Sequence, residues 1–321
     1  MSELNYEHVF NVLVDKTAEY VTSNNLKVMV LGISGGIDST VVAAICHEVS
    51  KQTGIPLIGR SLPIKNKNDE FDVSKLVGEA FCDEFKVCPM TRLYHAALKE
   101  VYQVENMERH ESTYTIEELE QANGQTKIAN GNIQARLRMM FLYNLASIHK
   151  GLVMSTDNQT EYQLGFWTIH GDVGDFDPIQ DLWKTEVYGL ANYLVEYYIQ
   201  LWEDYDIQDA GYCKYKSIVK ALKSSIALTP TDGLGISNSD LDQIGAKSYD
   251  EVDDILQTLI PLEYWYNQQS DVLIAKEFNN ATNILESKYS KDVVNKVWSR
   301  HLASEFKRKK APIYISRELY E

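Results

Sequence analysis

Residues able to do chemistry are concentrated in five stretches of this chain. The first is Leu31-Gly32-Ile33-Ser34-Gly35-Gly36-Ile37-Asp38-Ser39-Thr40, where adjacent glycines let backbone amides converge and Ser34, Ser39 and Thr40 offer hydroxyl donors. An anion is the natural guest, phosphate above all, and a helix starting after the loop would add positive potential. No lysine precedes Ser39 or Thr40, so this is not G-x-x-x-x-G-K-[ST], and it is not G-x-G-x-x-G either. Asp38 instead sits within the cradle, where a bare carboxylate repels phosphate. A hard cation such as Mg²⁺ bridging Asp38 to the phosphates would resolve that conflict. The alternative is a plain strand–turn–helix junction, with Asp38 in a first helical turn where aspartate is favoured.

The second stretch is Ser155-Thr156-Asp157-Asn158-Gln159-Thr160-Glu161. If it follows a parallel strand, Asp157 and Glu161 open into the same crevice as Asp38, and three carboxylates around one triphosphate again imply Mg²⁺. The alternative is helix capping by Thr156 and Asp157, with Glu161 on a solvated face. The third, Gly131 to Arg138, sets Arg136 and Arg138 among apolar residues, suited to gripping a phosphate or carboxylate. Lone helical arginines are more often surface ion pairs. The fourth, Gly171 to Ile179 followed by Asp181 and Lys184, is an acidic, turn-rich loop leading to a lysine at a helix start. The fifth is the basic run Phe306-Lys307-Arg308-Lys309-Lys310, which is either a tail tucked against phosphates or a solvated charge run.

The elements that must carry these residues follow from periodicity. Phe10, Leu13, Val14, Thr17 and Val21 predict a helix over 4–24, and Val28 to Ile33 a buried strand running into the glycine loop. Val41 to Ile45 begin the next helix. Strands are expected at 57–62, 85–89 and 151–155, and helices at 69–82, 91–104, 133–148 and 184–203. Strands alternating with helices behind a phosphate loop predict an α/β fold, a doubly wound parallel sheet. Residues 105–130 are poor in large aliphatics and read as an exposed excursion or flap, with order resuming at Gly131. Beyond 205, helical pieces are expected near 240–244, 249–258, 262–288 and 290–308, added to the sheet rather than forming an independent α/β domain. The whole chain, 1–321, reads as one domain.

Composition bounds the function. A net charge of −15 over 321 residues argues against broad nucleic-acid or membrane-surface binding. Cys46, Cys82, Cys88 and Cys213 lack zinc-type spacing, as expected of free thiols in a reducing compartment. Neither a signal-peptide pattern nor an apolar run of spanning length is present, which predicts a cytoplasmic protein.

The 34–40 loop resembles the pyrophosphate-cradling loop of N-type ATP pyrophosphatases. Together with Gly-Asn-Ile-Gln-Ala-Arg-Leu-Arg at 131–138, Ser-Thr-Asp-Asn-x-x-Glu at 155–161 and Gly-Asp-Val-Gly-Asp-Phe-x-Pro-Ile-x-Asp-Leu-x-Lys-Thr at 171–185, it resembles the NAD synthetase family. Thr229-Pro230-Thr231-Asp232, Ser248 to Asp254 and the Lys-Arg tail follow in that family's order, so the matches run from about residue 10 to 312. The resemblance implies a Rossmann-like fold of the adenine nucleotide alpha hydrolase type with added C-terminal helices. It also implies a two-step ligase reaction. ATP adenylates the nicotinate carboxylate of deamido-NAD, pyrophosphate leaves, and ammonia displaces AMP to give NAD.

By resemblance, Gly32, Ile33, Ser34, Gly35, Gly36, Ile37, Asp38, Ser39, Thr156, Lys184 and Thr231 would bind ATP. Arg136, Asp172, Phe306 and Lys307 would bind deamido-NAD, and Asp38 and Glu161 would hold Mg²⁺. Asp38, Lys184 and Lys307 would act catalytically, and the protein would be a homodimer. There are departures: Ile169 stands where a lysine is common, Phe176 where an aspartate is common, and Phe306 where ammonia-dependent members tend to have histidine. The 171–185 loop and the Phe-Lys-Arg ending look more like the synthetase domain of glutamine-dependent enzymes, yet the motifs use up the chain and leave no room for a fused glutaminase domain. Free ammonia, or ammonia from a separate glutaminase, is therefore the expected nitrogen source.

Overall fold

The structure is a computed structural model and describes residues 4–64, 68–105, 115–203, 206, 209–230, 239–269 and 272–308. Its elements are α1 (Tyr6–Ser23), β1 (Met29–Gly32), α2 (Ile37–Thr53), β2 (Leu57–Ser61), α3 (Asn68–Phe81), β3 (Glu84–Val87), α4 (Thr91–Glu105), α5 (Ile116–Glu120), α6 (Gly124–His149) and β4 (Leu152–Met154). They are followed by α7 (Gln159–Leu164), α8 (Lys184–Glu203), α9 (Ala210–Ala227), α10 (Asp240–Ile244), α11 (Tyr249–Gln269), α12 (Val272–Lys288), α13 (Lys291–Ala303) and α14 (Glu305–Arg308). Two compact units divide the chain: 1–158 with 168–240, and 159–167 with 241–321.

The first unit holds the sheet. Its four strands are parallel in the order β3-β2-β1-β4, with Val30 level with Ile58 on one side and Val153 on the other. Alternation along the strands serves two cores. Met29, Leu31, Leu57 and Met154 face buried residues of α1, α2, α3, α8 and α9. Val30, Ile58 and Val153 face Ala146 of α6 on the other side. Helices on both faces make the sheet doubly wound, as the alternation of strands and helices predicted. The order reverses between β1 and β4, so a crevice opens at their carboxyl ends, where the glycine loop and residues 155–158 emerge.

Several elements differ from the sequence reading. Within the 105–130 stretch, residues 106–114 lie outside the described residues, but Ile116–Glu120 is helical, closed by a capping box between Thr115 and Glu118. Leu119 is buried there, and its carbonyl accepts from the Asn130 side chain at 2.8 Å, so α6 is already helical from Gly124. Residues 210–227, not singled out by periodicity, form α9, which buries Ile218, Val219 and Leu222 in the main core. In the second unit α11 runs unbroken through Pro261 to Gln269, joining two stretches that the sequence reading separates at 259–261.

Candidate active site

The glycine loop is built from its own hydroxyls. Gly35 takes φ 89°, and Gly36 caps α2. A side chain at 35 would be strained in that left-handed backbone. The Ser34 hydroxyl accepts from the Gly36 amide at 3.1 Å and lies 2.9 Å from Ser39 Oγ. Thr40 turns away from any guest: its buried hydroxyl donates to the Gly36 carbonyl at 2.8 Å and meets Ser225 Oγ at 2.8 Å. Ser225, fully buried on α9, donates to the Gly35 carbonyl at 2.7 Å and so supports the loop from beneath. Nothing local in the sequence marks Ser225; it meets the loop only through the packing of α9.

Asp38 stands in the first turn of α2 with both carboxylate oxygens engaged. Oδ1 accepts from Asn158 Nδ2 at 2.8 Å, and Oδ2 from Lys184 Nζ at 2.5 Å. Asn158 is fully buried, and Lys184 is 1% exposed at the start of α8. A lysine ammonium is tolerated at that depth only when paired, and Asp38 is its counter-charge. Thus the glycine loop, the loop after β4 and the start of α8 meet at one carboxylate. The aspartate that looked misplaced in an anion cradle is neutralised by a lysine from 146 residues away.

Around this pair, Ser155 Oγ donates to Asp157 Oδ2 at 3.1 Å, and Thr156 lies half-buried beside it. The 174–176 segment adds itself to the edge of β4: Ser155 N donates to Phe176 O at 2.8 Å and Asp175 N to Val153 O at 2.7 Å. The next residue, Asp177, accepts from the Ile179 amide at 3.0 Å through Oδ1, while its buried Oδ2 has no hydrogen-bond partner among the described residues. Burial pushes its carboxyl up to about 7, the Asp38 charge adding to the effect and the Ile179 amide, the Ser155 hydroxyl and the Asp157 amide opposing it.

Of the residues read as a dinucleotide contact, Arg136 is exposed on α6 and donates to the Ile169 carbonyl at 3.3 Å. Asp172, also exposed, accepts from the Thr168 amide at 2.6 Å, and Thr168 Oγ1 donates to Asn132 at 2.8 Å. Arg136 and the 168–172 turn therefore belong to one neighbourhood. Arg138 instead donates to the Leu62 carbonyl at 3.1 Å. Thr231, Lys309 and Lys310 lie outside the described residues.

In the second unit Glu161 is half-buried on α7, and Phe306 is 56% exposed. Lys307 Nζ donates to the Gly165 carbonyl at 2.6 Å and also to the Trp167 carbonyl. Arg308 donates to the Gln163 carbonyl at 2.7 Å.

Among the described residues no group of three or more His, Cys, Asp and Glu side chains could hold a metal. Magnesium commonly takes one or two carboxylates with substrate phosphates and water. Asp38 offers carboxylate oxygens, the donor type that Mg²⁺ takes, so a bound Mg²⁺ would find a hard oxygen ligand there rather than a protein cage.

Comparison with known proteins places this architecture. The NAD synthase family pattern matches residues 9–311. The NH(3)-dependent NAD(+) synthetase of Campylobacter jejuni (strain 81-176) is 30% identical over 234 residues, covering 69% of this chain and 86% of that protein. The solved NMN synthetase of Francisella tularensis covers 98% of this chain and 100% of its own at 22% identity and a TM-score of 0.66. An NH3-dependent NAD synthetase from Campylobacter jejuni gives 97%, 100%, 20% and 0.60. At such identities the structures speak for the fold, and the family pattern and the 30% relative speak for kinship. The chain belongs to the NAD synthase family.

Proposed function

We propose that the protein is an ammonia-dependent NAD synthetase. The nicotinate carboxylate of deamido-NAD attacks the α-phosphorus of ATP and pyrophosphate departs. Ammonia then adds to the acyl carbon of the adenylate, and the C–O bond to AMP breaks. The products are NAD and AMP; one ammonia proton passes to base and solvent, and two stay on the carboxamide nitrogen. A carboxylate does not react with ammonia until its oxygen becomes a leaving group, which is why the first step consumes ATP.

The observation that supports this reading most directly is Asp38, held between Asn158 and Lys184 at the switch point of the sheet. Ser34, Ser39 and the amides of Gly35 and Ile37 bind and orient the pyrophosphate half of ATP. Lys184 keeps Asp38 from repelling it and offers positive charge as pyrophosphate leaves. Thr156 and Thr231 serve ATP. Arg136 and Asp172 serve deamido-NAD together with the tail residues Phe306 and Lys307. Asp38 and Glu161 are the side chains that would hold Mg²⁺, whose chemistry is to neutralise phosphate charge.

Both compact units belong to one synthetase domain in this reading. A homodimer is supported by apolar exposure on α4 and α6, where Val101 is 47%, Met140 51% and Ile148 66% exposed. No helix among the described residues is long and apolar enough to cross a membrane. The test is incubation with ATP, Mg²⁺, deamido-NAD and ammonium chloride. NAD and AMP should form in equal amounts, and no NAD above a protein-free control refutes the assignment.

A further inference from the structure

The Ser248–Asp254 motif has no task in the proposed reaction, and the second unit supplies one. Helix α7 carries Glu161 but has only 6 residues, far below the length at which an isolated helix holds itself. It is fastened at both ends. Thr160 Oγ1 donates to Asp253 Oδ1 of α11 at 2.5 Å, with Thr160 1% and Asp253 2% exposed. This is a short, charge-assisted bond. At the other end the carbonyls that α7 cannot satisfy itself are taken by α13, α14 and the turn between them. Arg308 Nη1 and Ser304 Oγ donate to Gln163 O at 2.7 and 3.0 Å, Arg300 Nε to Leu164 O at 3.1 Å, and Lys307 Nζ to Gly165 O at 2.6 Å. Gly165 turns the chain at φ 66°, and a Cβ there would lie 2.6 Å from Ser304 Cβ.

Fixing Thr160 and the 163–165 carbonyls, about one turn apart, sets both the position and the rotation of α7. Glu161, the neighbour of Thr160, is thereby given one direction. We infer that Asp253 is a positioning residue: through Thr160, and against the cationic cap of α13 and α14, it fixes the presentation of Glu161. Lys307, which the resemblance assigns to the reactants, is part of that cap in this structure. The inference rests on the proposed function only in giving Glu161 a task.

Hydrogen exchange and steady-state kinetics on the full chain test it, using Thr160→Val, Asp253→Asn and the conservative Thr160→Ser. Val and Asn are near-isosteric replacements, and urea midpoints verify that each variant is folded. Amides of 161–167 should exchange about tenfold faster in Thr160→Val and Asp253→Asn while those of α2 are unchanged. The kcat for NAD formation should fall about tenfold or more, with KM for ATP moving less than about threefold, because orientation rather than binding is lost. Thr160→Ser should restore both readouts. Unchanged exchange at 161–167 overturns the clamp, and faster exchange with unchanged kcat overturns the positioning role. If the wild-type chain makes no NAD, the proposed reaction fails, and exchange at 161–167 still decides the clamp.

Discussion

At the residue scale, Asp38 serves structure and, in the proposed reaction, chemistry as well. Its carboxylate is the counter-charge of the buried Lys184 ammonium. Asp38→Asn should therefore abolish pyrophosphate release and also cost about 3 kcal/mol of stability by removing the carboxylate charge beside that buried ammonium. Adding Lys184→Met should recover much of the stability in urea melts and none of the activity, a coupling that a double-mutant cycle measures. Asp177 gives a pH signature. Its carboxyl sits at about 7 in the fold against an ordinary 3.8, because burial penalises the anion. Folding is unaffected where the group is protonated in both states, so its contribution to stability is lost as pH rises from about 4 to about 7 and is level above. Asp177→Asn should flatten that slope by on the order of 2–4 kcal/mol, read from urea midpoints at pH 5 and pH 8.

At the element scale, the 171–183 loop works as an extension of the sheet. Hydrogen bonds from Asp175 N to Val153 O and from Ser155 N to Phe176 O join it to β4 and bring Asp177 beneath the crevice. Gly174 permits that approach: a Cβ there would lie 2.5 Å from Ser155 N and 2.7 Å from Val153 O, both backbone atoms that cannot swing aside. Gly174→Ala should destabilise by about 1–3 kcal/mol and raise KM for ATP by displacing the loop. Thermal melts and initial-rate assays on the same preparation check this. Most of the long elements, α9 excepted, were legible in the sequence because their apolar residues repeat at helical spacing or run as buried strands. Helix α7 was not, since its 6 residues carry too little periodicity and its stability comes from Asp253, Arg300, Lys307 and Arg308.

At the scale of the whole molecule, the four thiols report on different depths. Cys213 is exposed on α9, whereas Cys46 is fully buried in α2 and Cys82 is half-buried after α3. Burial raises the Cys46 thiol well above its ordinary range and the Cys82 thiol to about 12. Native protein treated with a thiol reagent should label at Cys213 first. Cys46 should react only at the rate of global unfolding, so mass spectrometry after timed labelling separates local from global opening. Sedimentation at several concentrations tests the dimer, and disruption by Met140→Glu or Ile148→Glu would locate it on α6.

By itself the sequence determined the architecture and pointed to a kind of guest. Strands alternating with helices admit few topologies other than a wound parallel sheet, and a Ser-Gly-Gly-x-Asp-Ser turn leaves backbone amides free to meet phosphate. Those are local facts, set by periodicity and by the backbone freedom of glycine. Tertiary structure decided what Asp38 means. Along the sequence only a bound cation balances its charge, because pairing at a separation of 146 residues leaves no local trace. Folding α8 against the first unit's core places Lys184 there and closing β4 beside β1 places Asn158. A carboxylate out of place along the chain thus becomes the fixed centre of the crevice.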